Sequence, residues 1–154
     1  MNFLEEIEEM QNNRNNIENI VINDILKYFE EKMNSEKFKD ILKNHYIKDA
    51  INKGKNSCDL EIEFWDYITG CSETYIYVGG CGKFELNNIT DSYDSYHNYK
   101  GVRLRDIHKN ICSKLSVILK NKLEELGLKI ISSERLDNNY RFGYYKERIK
   151  ISWQ

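Results

Sequence analysis

A chain of 154 residues is the size of one ordinary domain, and a content of 40% hydrophobic and 12% aromatic residues is enough to bury a sizeable core. Its longest apolar runs are a few residues, against the roughly 20 that cross a bilayer, and Met1-Asn2-Phe3-Leu4-Glu5-Glu6 carries acids where a signal peptide carries bases. These features argue against membrane insertion and export, so a folded protein of the cytoplasm is expected.

The net charge of −2 is unevenly spread: residues 1–34 carry −5, residues 35–99 carry −4 and residues 100–154 carry +7. Such asymmetry fits a nucleic-acid face, or acidic and basic regions that pack together within a monomer or across a dimer. The second reading is favoured, because bases that alternate along a strand usually form a solvated or paired face. The four cysteines, Cys58, Cys71, Cys81 and Cys112, form no CxxC pair. The close spacing of a zinc knuckle is therefore missing, and reduced thiols are expected, with Cys58 and Cys112 acting as small core hydrophobes.

The first predicted element runs from Asn2 to about Met33. Phe3, Ile7, Met10, Ile17, Val21, Ile25, Tyr28 and Phe29 fall near one helical stripe, and Glu5, Glu6, Glu8 and Glu9 suit the positive end of the helix dipole. Arg14 interrupts the stripe, and Asn12-Asn13-Arg14-Asn15-Asn16 could form a loop that splits the helix. Two roles stand side by side: an arm for a homodimer, or a helix lying on its own sheet. The stripe is too short and irregular to meet the heptad criterion by itself. A second helix starts after the N-cap candidates Asn34 and Ser35, turns Phe38, Ile41, Leu42, His45, Tyr46, Ala50 and Ile51 inward, and ends before Gly54. His45 reads as a core histidine.

After Gly54 the period becomes two. Cys58, Leu60, Ile62 and Phe64 point one way and Asp59, Glu61, Glu63 and Trp65 the other. Three carboxylates on one face could bind a divalent cation. A simpler account pairs this strand with Arg148-Ile149-Lys150-Ile151-Ser152-Trp153, whose own strict alternation sets bases beside acids and apolar residues beside apolar ones. Strands 58–65 and 147–153 are therefore expected to be neighbours. A hairpin is expected from the strand at 73–78, through Gly79-Gly80-Cys81-Gly82, to residues 83–86. Reading Cys81 as a nucleophile, with Lys83 and His97 or His108 in support, is weaker than a glycine-rich turn.

Residues 87–101 combine Tyr93, Tyr96 and Tyr99 with serine, aspartate and asparagine, the composition of recognition loops. The same tyrosines could stack on nucleobases, or pack back onto the domain. Lys100, Arg103 and Arg105 follow at the start of the next helix, where free amide groups already favour an anion. The candidate binding residues are thus Tyr93, Tyr96, His97, Tyr99, Lys100, Arg103 and Arg105. That next helix covers 103–126 with a stripe from Leu104 to Leu126, closed by Gly127 as a left-handed cap and followed by a strand at Leu128-Lys129-Ile130-Ile131.

Two pieces carry a resemblance. Ile47-Lys48-Asp49-Ala50-Ile51-Asn52-Lys53-Gly54-Lys55-Asn56-Ser57-Cys58, together with Leu123-Glu124-Glu125-Leu126-Gly127-Leu128-Lys129-Ile130 and the ending Ile149-Lys150-Ile151-Ser152-Trp153, resembles small uncharacterised phage and prophage proteins of low-GC Gram-positive bacteria. The match covers less than half of the chain. The long N-terminal helix and the insertion from about Tyr67 to Lys100 depart from it. It implies an accessory protein that engages a host protein, anti-defence activity being one such role, and it transfers no active-site residue.

The sequence thus predicts an α+β fold: helices packed on one face of a small, mainly antiparallel β-sheet, with a long N-terminal helix. Residues 1–34 form an arm and 35–154 the α+β domain. The expected function is non-enzymatic binding of a host protein partner, with nucleic-acid or nucleotide binding as the alternative. No catalytic residue, cofactor, metal or membrane partner is expected.

Overall fold

The computed structural model describes residues 2–65, 75–79, 83–85, 98–99, 101–137 and 144–154. Helix α1 (Phe3–Met33) begins with a reciprocal capping box, in which the Asn2 side chain accepts from the Glu5 amide and the Glu5 carboxylate accepts from the Asn2 amide. It continues unbroken through the asparagine-rich stretch, where a loop was expected. Asparagine costs only a few tenths of a kcal/mol more than a strong helix former. Arg14, in the middle of that stretch, bonds Glu18 one turn on at 3.2 Å. From Val21 onward the helix is core: Val21, Ile22, Ile25, Phe29 and Met33 are buried, and this half packs against helix α4 (Leu104–Glu125).

The second helical region starts at Ser35, whose side chain caps Phe38, but it is not uniform. Helix α2 (Glu36–Ile41) passes into a π-helical turn (Leu42–Ile47) and then into α3 (Lys48–Asn52). A π turn inserts an extra residue and shifts the helical phase. The shift brings Ala50 onto the buried face of Phe38 and Leu42, and two expectations are corrected: His45 is exposed and Ile51 is 52% exposed. The region stops at Gly54, whose φ of 74° is the left-handed cap conformation.

Strands β1 (Ser57–Trp65), β2 (Tyr75–Val78), β3 (Lys83–Glu85), β6 (Lys129–Asp137) and β7 (Tyr144–Ser152) form one sheet in the order β3-β2-β1-β7-β6. Every pairing in it is antiparallel. A separate ribbon pairs β4 (Asn98–Tyr99) with β5 (Val102–Arg103). The fold is α+β, as the alternating periods predicted. β1 and β7 are direct neighbours, in a register that puts Asp59 opposite Lys150, Leu60 opposite Ile149 and Glu61 opposite Arg148.

The sheet's inner face contributes Leu60, Ile62, Phe64, Ile76, Val78, Tyr145, Ile149 and Ile151 to one core with Ile107, Ile111, Cys112, Leu115, Leu119 and Leu123 of α4 and the second half of α1. The β2–β3 hairpin is present, and Gly79 shows why a glycine ends β2. A Cβ there would come within 3.1 Å of the Glu61 backbone nitrogen and of Tyr46 Oη. α4 ends as predicted at Gly127, with φ 88°. The Gly127 amide donates to the Glu124 carbonyl and the Leu128 amide to the Leu123 carbonyl, the bond pair of a Schellman cap.

β6 is longer than the four residues expected, and a bulge between Ile130 and Ser132 leaves Ile131 57% exposed.

Candidate functional site

The candidate surface lies where α1 meets a ribbon that leads into α4. The ribbon β4–β5 turns at Gly101, whose φ of 78° gives the tight reversal. β5 then runs directly into α4, so the stem is continuous with a core helix. From the far side, Arg14 Nη1 of α1 donates to the Gly101 carbonyl at 3.1 Å, across 87 residues of sequence. Arg14 also lines a groove of about 570 Å³ along α1 with Ile7, Met10, Gln11, Asn12 and Asn15.

Of the predicted binding residues, Tyr99 sits on β4 opposite Val102, Arg103 sits on β5 opposite Asn98, and Arg105 lies in the first turn of α4. The structure thus brings the backbone of these three together. Tyr93, Tyr96, His97 and Lys100 lie outside the described residues, as do the Gly80-Cys81-Gly82 turn and the nucleophile considered there.

The acidic strand face has an electrostatic explanation. Lys146 Nζ lies 3.2 Å from Glu61 and 3.3 Å from Glu63, and Arg148 bonds Glu61 at 3.2 Å. In register, the bases of β7 stand between acids on both neighbours: Glu61, Arg148 and Glu134 in one row, Glu63, Lys146 and Asp137 in another. Partial burial works to raise the Glu61 pKa, but Arg148 and Lys146 outweigh it and hold the carboxyl below its ordinary value. The two carboxylates in turn hold Lys146 above its ordinary value. Among the described residues, no three His, Cys, Asp or Glu side chains converge as metal ligands.

Sequence reasoning missed a buried polar cluster on the opposite face of β7. The alternation was read from Arg148 onward; one residue earlier, Glu147 is on the core side and 3% exposed. Its carboxylate accepts from Ser133 Oγ and Tyr145 Oη, lies 3.0 Å from Lys120 Nζ, and also bonds Ser116. Arg135 stands over the Tyr145 ring at 5.8 Å. Burial alone would raise the Glu147 pKa, but Ser133, Tyr145, Ser116 and Lys120 together depress it, so the group is ionised at neutral pH. The Tyr145 hydroxyl is pushed the other way, by burial and then by Glu147 itself. A fully donated carboxylate of this kind is an internal brace. The signal for it was the period of two itself: counting back from Ile149 puts residue 147 on the inner face.

Both described cysteines are poor nucleophiles. Burial, then Asp59, pushes the half-buried Cys58 thiol up to about 11, and burial pushes the Cys112 thiol up further. Cys58 and His45 share a cavity of about 470 Å³ with Asp49, Lys53, Asp59 and Lys150. There Lys53 is 2.9 Å from Asp49, and Lys150 is the register partner of Asp59. Among the described residues no helix is long and apolar enough to cross a membrane. The chain matches no known protein family, no curated protein and no solved structure.

Proposed function

We propose that this is a non-enzymatic binding protein of the cytoplasm, which engages a protein partner through the 91–105 surface in the manner of a phage- or prophage-type accessory protein, anti-defence activity included. The observation that carries the reading is the stem of that surface. A tyrosine-, serine- and asparagine-rich segment ends in a ribbon that is tied on one side to α4 and on the other to α1 through the Arg14–Gly101 bond. Recognition loops work when a rigid scaffold holds their ends, because less ordering entropy is then lost on binding.

The test is capture from host lysate by the wild type and by the triple variant Tyr93→Ala, Tyr96→Ala, Tyr99→Ala. The variant loses the captured partner and keeps its melting temperature. Unchanged capture would discard the surface, and a large fall in melting temperature would reassign the tyrosines to packing.

Nucleic-acid binding stands second. The basic charge of the C-terminal third is partly spent within the fold, since Lys120, Lys146 and Arg148 face Glu147, Glu61 and Glu63. If that reading held, a gel shift at low salt would weaken steeply as salt rises and would weaken again on substitution of Arg103 or Arg105.

A further inference from the structure

We infer that the cavity between α3 and the paired ends of β1 and β7 is a binding site for a small phosphate monoester with a hydroxylated body. The cavity measures about 470 Å³, within the range of ligand pockets, and its walls are mostly polar. The π turn brings His45 to the wall, α3 brings Asp49, the turn after α3 brings Lys53 and Lys55, and the two strands bring Asp59 and Lys150. A π turn is rare, and where it occurs it is frequently at a functional site. This one packs against β1, so the wall it forms is held by the sheet.

The charges in the cavity do not cancel. Three lysines face two aspartates, and Lys53 is taken by Asp49 at 2.9 Å. Lys150 is the register partner of Asp59, yet among the described residues no ion pair joins them, and Lys55 belongs to none. Ser57 adds a hydroxyl that makes no hydrogen bond among the described residues. The carbonyls at the end of α3 do not oppose an anion as free acceptors would, because the amides of Lys53, Gly54 and Lys55 donate to Asp49, Ala50 and Ile51.

This lining selects the ligand. Ammonium groups bind phosphate as point charges with three donors each, and a dianion suits two unpaired lysines better than a single carboxylate does. Asp49 and Asp59 are acceptors only when ionised, so they would repel a bare anion and favour one that carries donors beside its phosphate. Sugar hydroxyls next to a phosphate ester meet both demands, whereas inorganic phosphate meets only the first. No residue of the cavity belongs to the 91–105 surface, so either site can fail without the other.

The test is an amide NMR titration of the full chain at constant ionic strength, with ribose phosphate, adenosine monophosphate and inorganic phosphate as probes. Amides of residues 45–59 shift saturably with ribose phosphate, which binds about tenfold more tightly than inorganic phosphate through the hydrogen bonds its hydroxyls give the aspartates. Tighter binding of adenosine monophosphate than of ribose phosphate assigns the site to nucleotides, and equal or weaker binding assigns it to sugar phosphates. Lys55→Gln and Lys150→Gln each weaken ribose phosphate about tenfold, the worth of one hydrogen bond to a charged group, and leave the melting temperature unchanged because both side chains are exposed. Lys109→Gln, exposed on α4 and outside the cavity, leaves the affinity unchanged. The absence of a saturable shift with ribose phosphate, shifts that gather elsewhere in the chain, ribose phosphate binding no tighter than inorganic phosphate, or a loss with Lys109→Gln equal to that with Lys55→Gln would each overturn the proposal.

Discussion

Residues 3–20 and 21–33 belong to one continuous helix with one apolar stripe, yet they live in different surroundings. The second half packs against α4, with Ile25 and Phe29 fully buried, while the first half carries Phe3, Leu4 and Met10 in the open. Amphipathic period reports that a face wants covering; it does not report what covers it. What the first half gives the fold is a brace, the Arg14–Gly101 bond, rather than core.

The sharpest way to break this contrast is to truncate the same kind of side chain in each half. Phe29→Ala should cost roughly 3–5 kcal/mol in denaturant unfolding, the range for a buried aromatic. Met10→Ala, followed at low protein concentration, should stay within about 0.5 kcal/mol, as surface substitutions do. Equal losses would mean that the arm is core.

A second contrast, between the two faces of β7, has the next largest effect. Removing the carboxylate by Glu147→Ala leaves Lys120, Ser133 and Tyr145 without their common acceptor. The expected loss is about 2 kcal/mol, less than for a fully buried pair because Lys120 is part exposed. On the outer face, Arg148→Ala should cost less than about 1 kcal/mol and become still less costly in high salt, as solvent-exposed ion pairs do.

The pH dependence follows from the same carboxylate. Its folded pKa lies below the unfolded value of about 4.3, so its stabilisation is complete above that value and is lost as pH falls through the depressed folded one. Wild type should therefore lose stability on acidification more steeply than Glu147→Gln, measured by melting temperature from neutral pH downward. Parallel curves would mean that Glu147 is not ionised in the folded protein.

How much of this could be read from the chain depends on whether the cause was local. Gly127 as the cap of α4 was legible, because a left-handed residue after the last apolar step is dictated within a few residues; Gly127→Ala should cost about 1 kcal/mol through its φ of 88°, detectable as a lowered denaturation midpoint. The β1–β7 pairing was also legible, because Asp59 and Glu61 alternate in the same phase as Arg148 and Lys150. Three features were not. The π turn at Leu42–Ile47 shifts the helical phase with no composition signal and leaves His45 outside, the bulge at Ile131 turns a side chain outward on β6, and Glu147 is an acid at a core phase whose donors come from three other places in the chain. At the candidate surface, the backbones of Tyr99, Arg103 and Arg105 are neighbours in the structure as they are in sequence. Arg14, which braces the ribbon from 87 residues away, read only as a break in an apolar stripe.

Hydrogen exchange along α1, measured on the full chain over a range of concentrations, tests the division of that helix most directly. The account predicts that amides of residues 21–33 exchange slowly, near the rate set by global unfolding, whereas amides of residues 7–18 exchange fast at every concentration. Equal protection along the whole helix would contradict it.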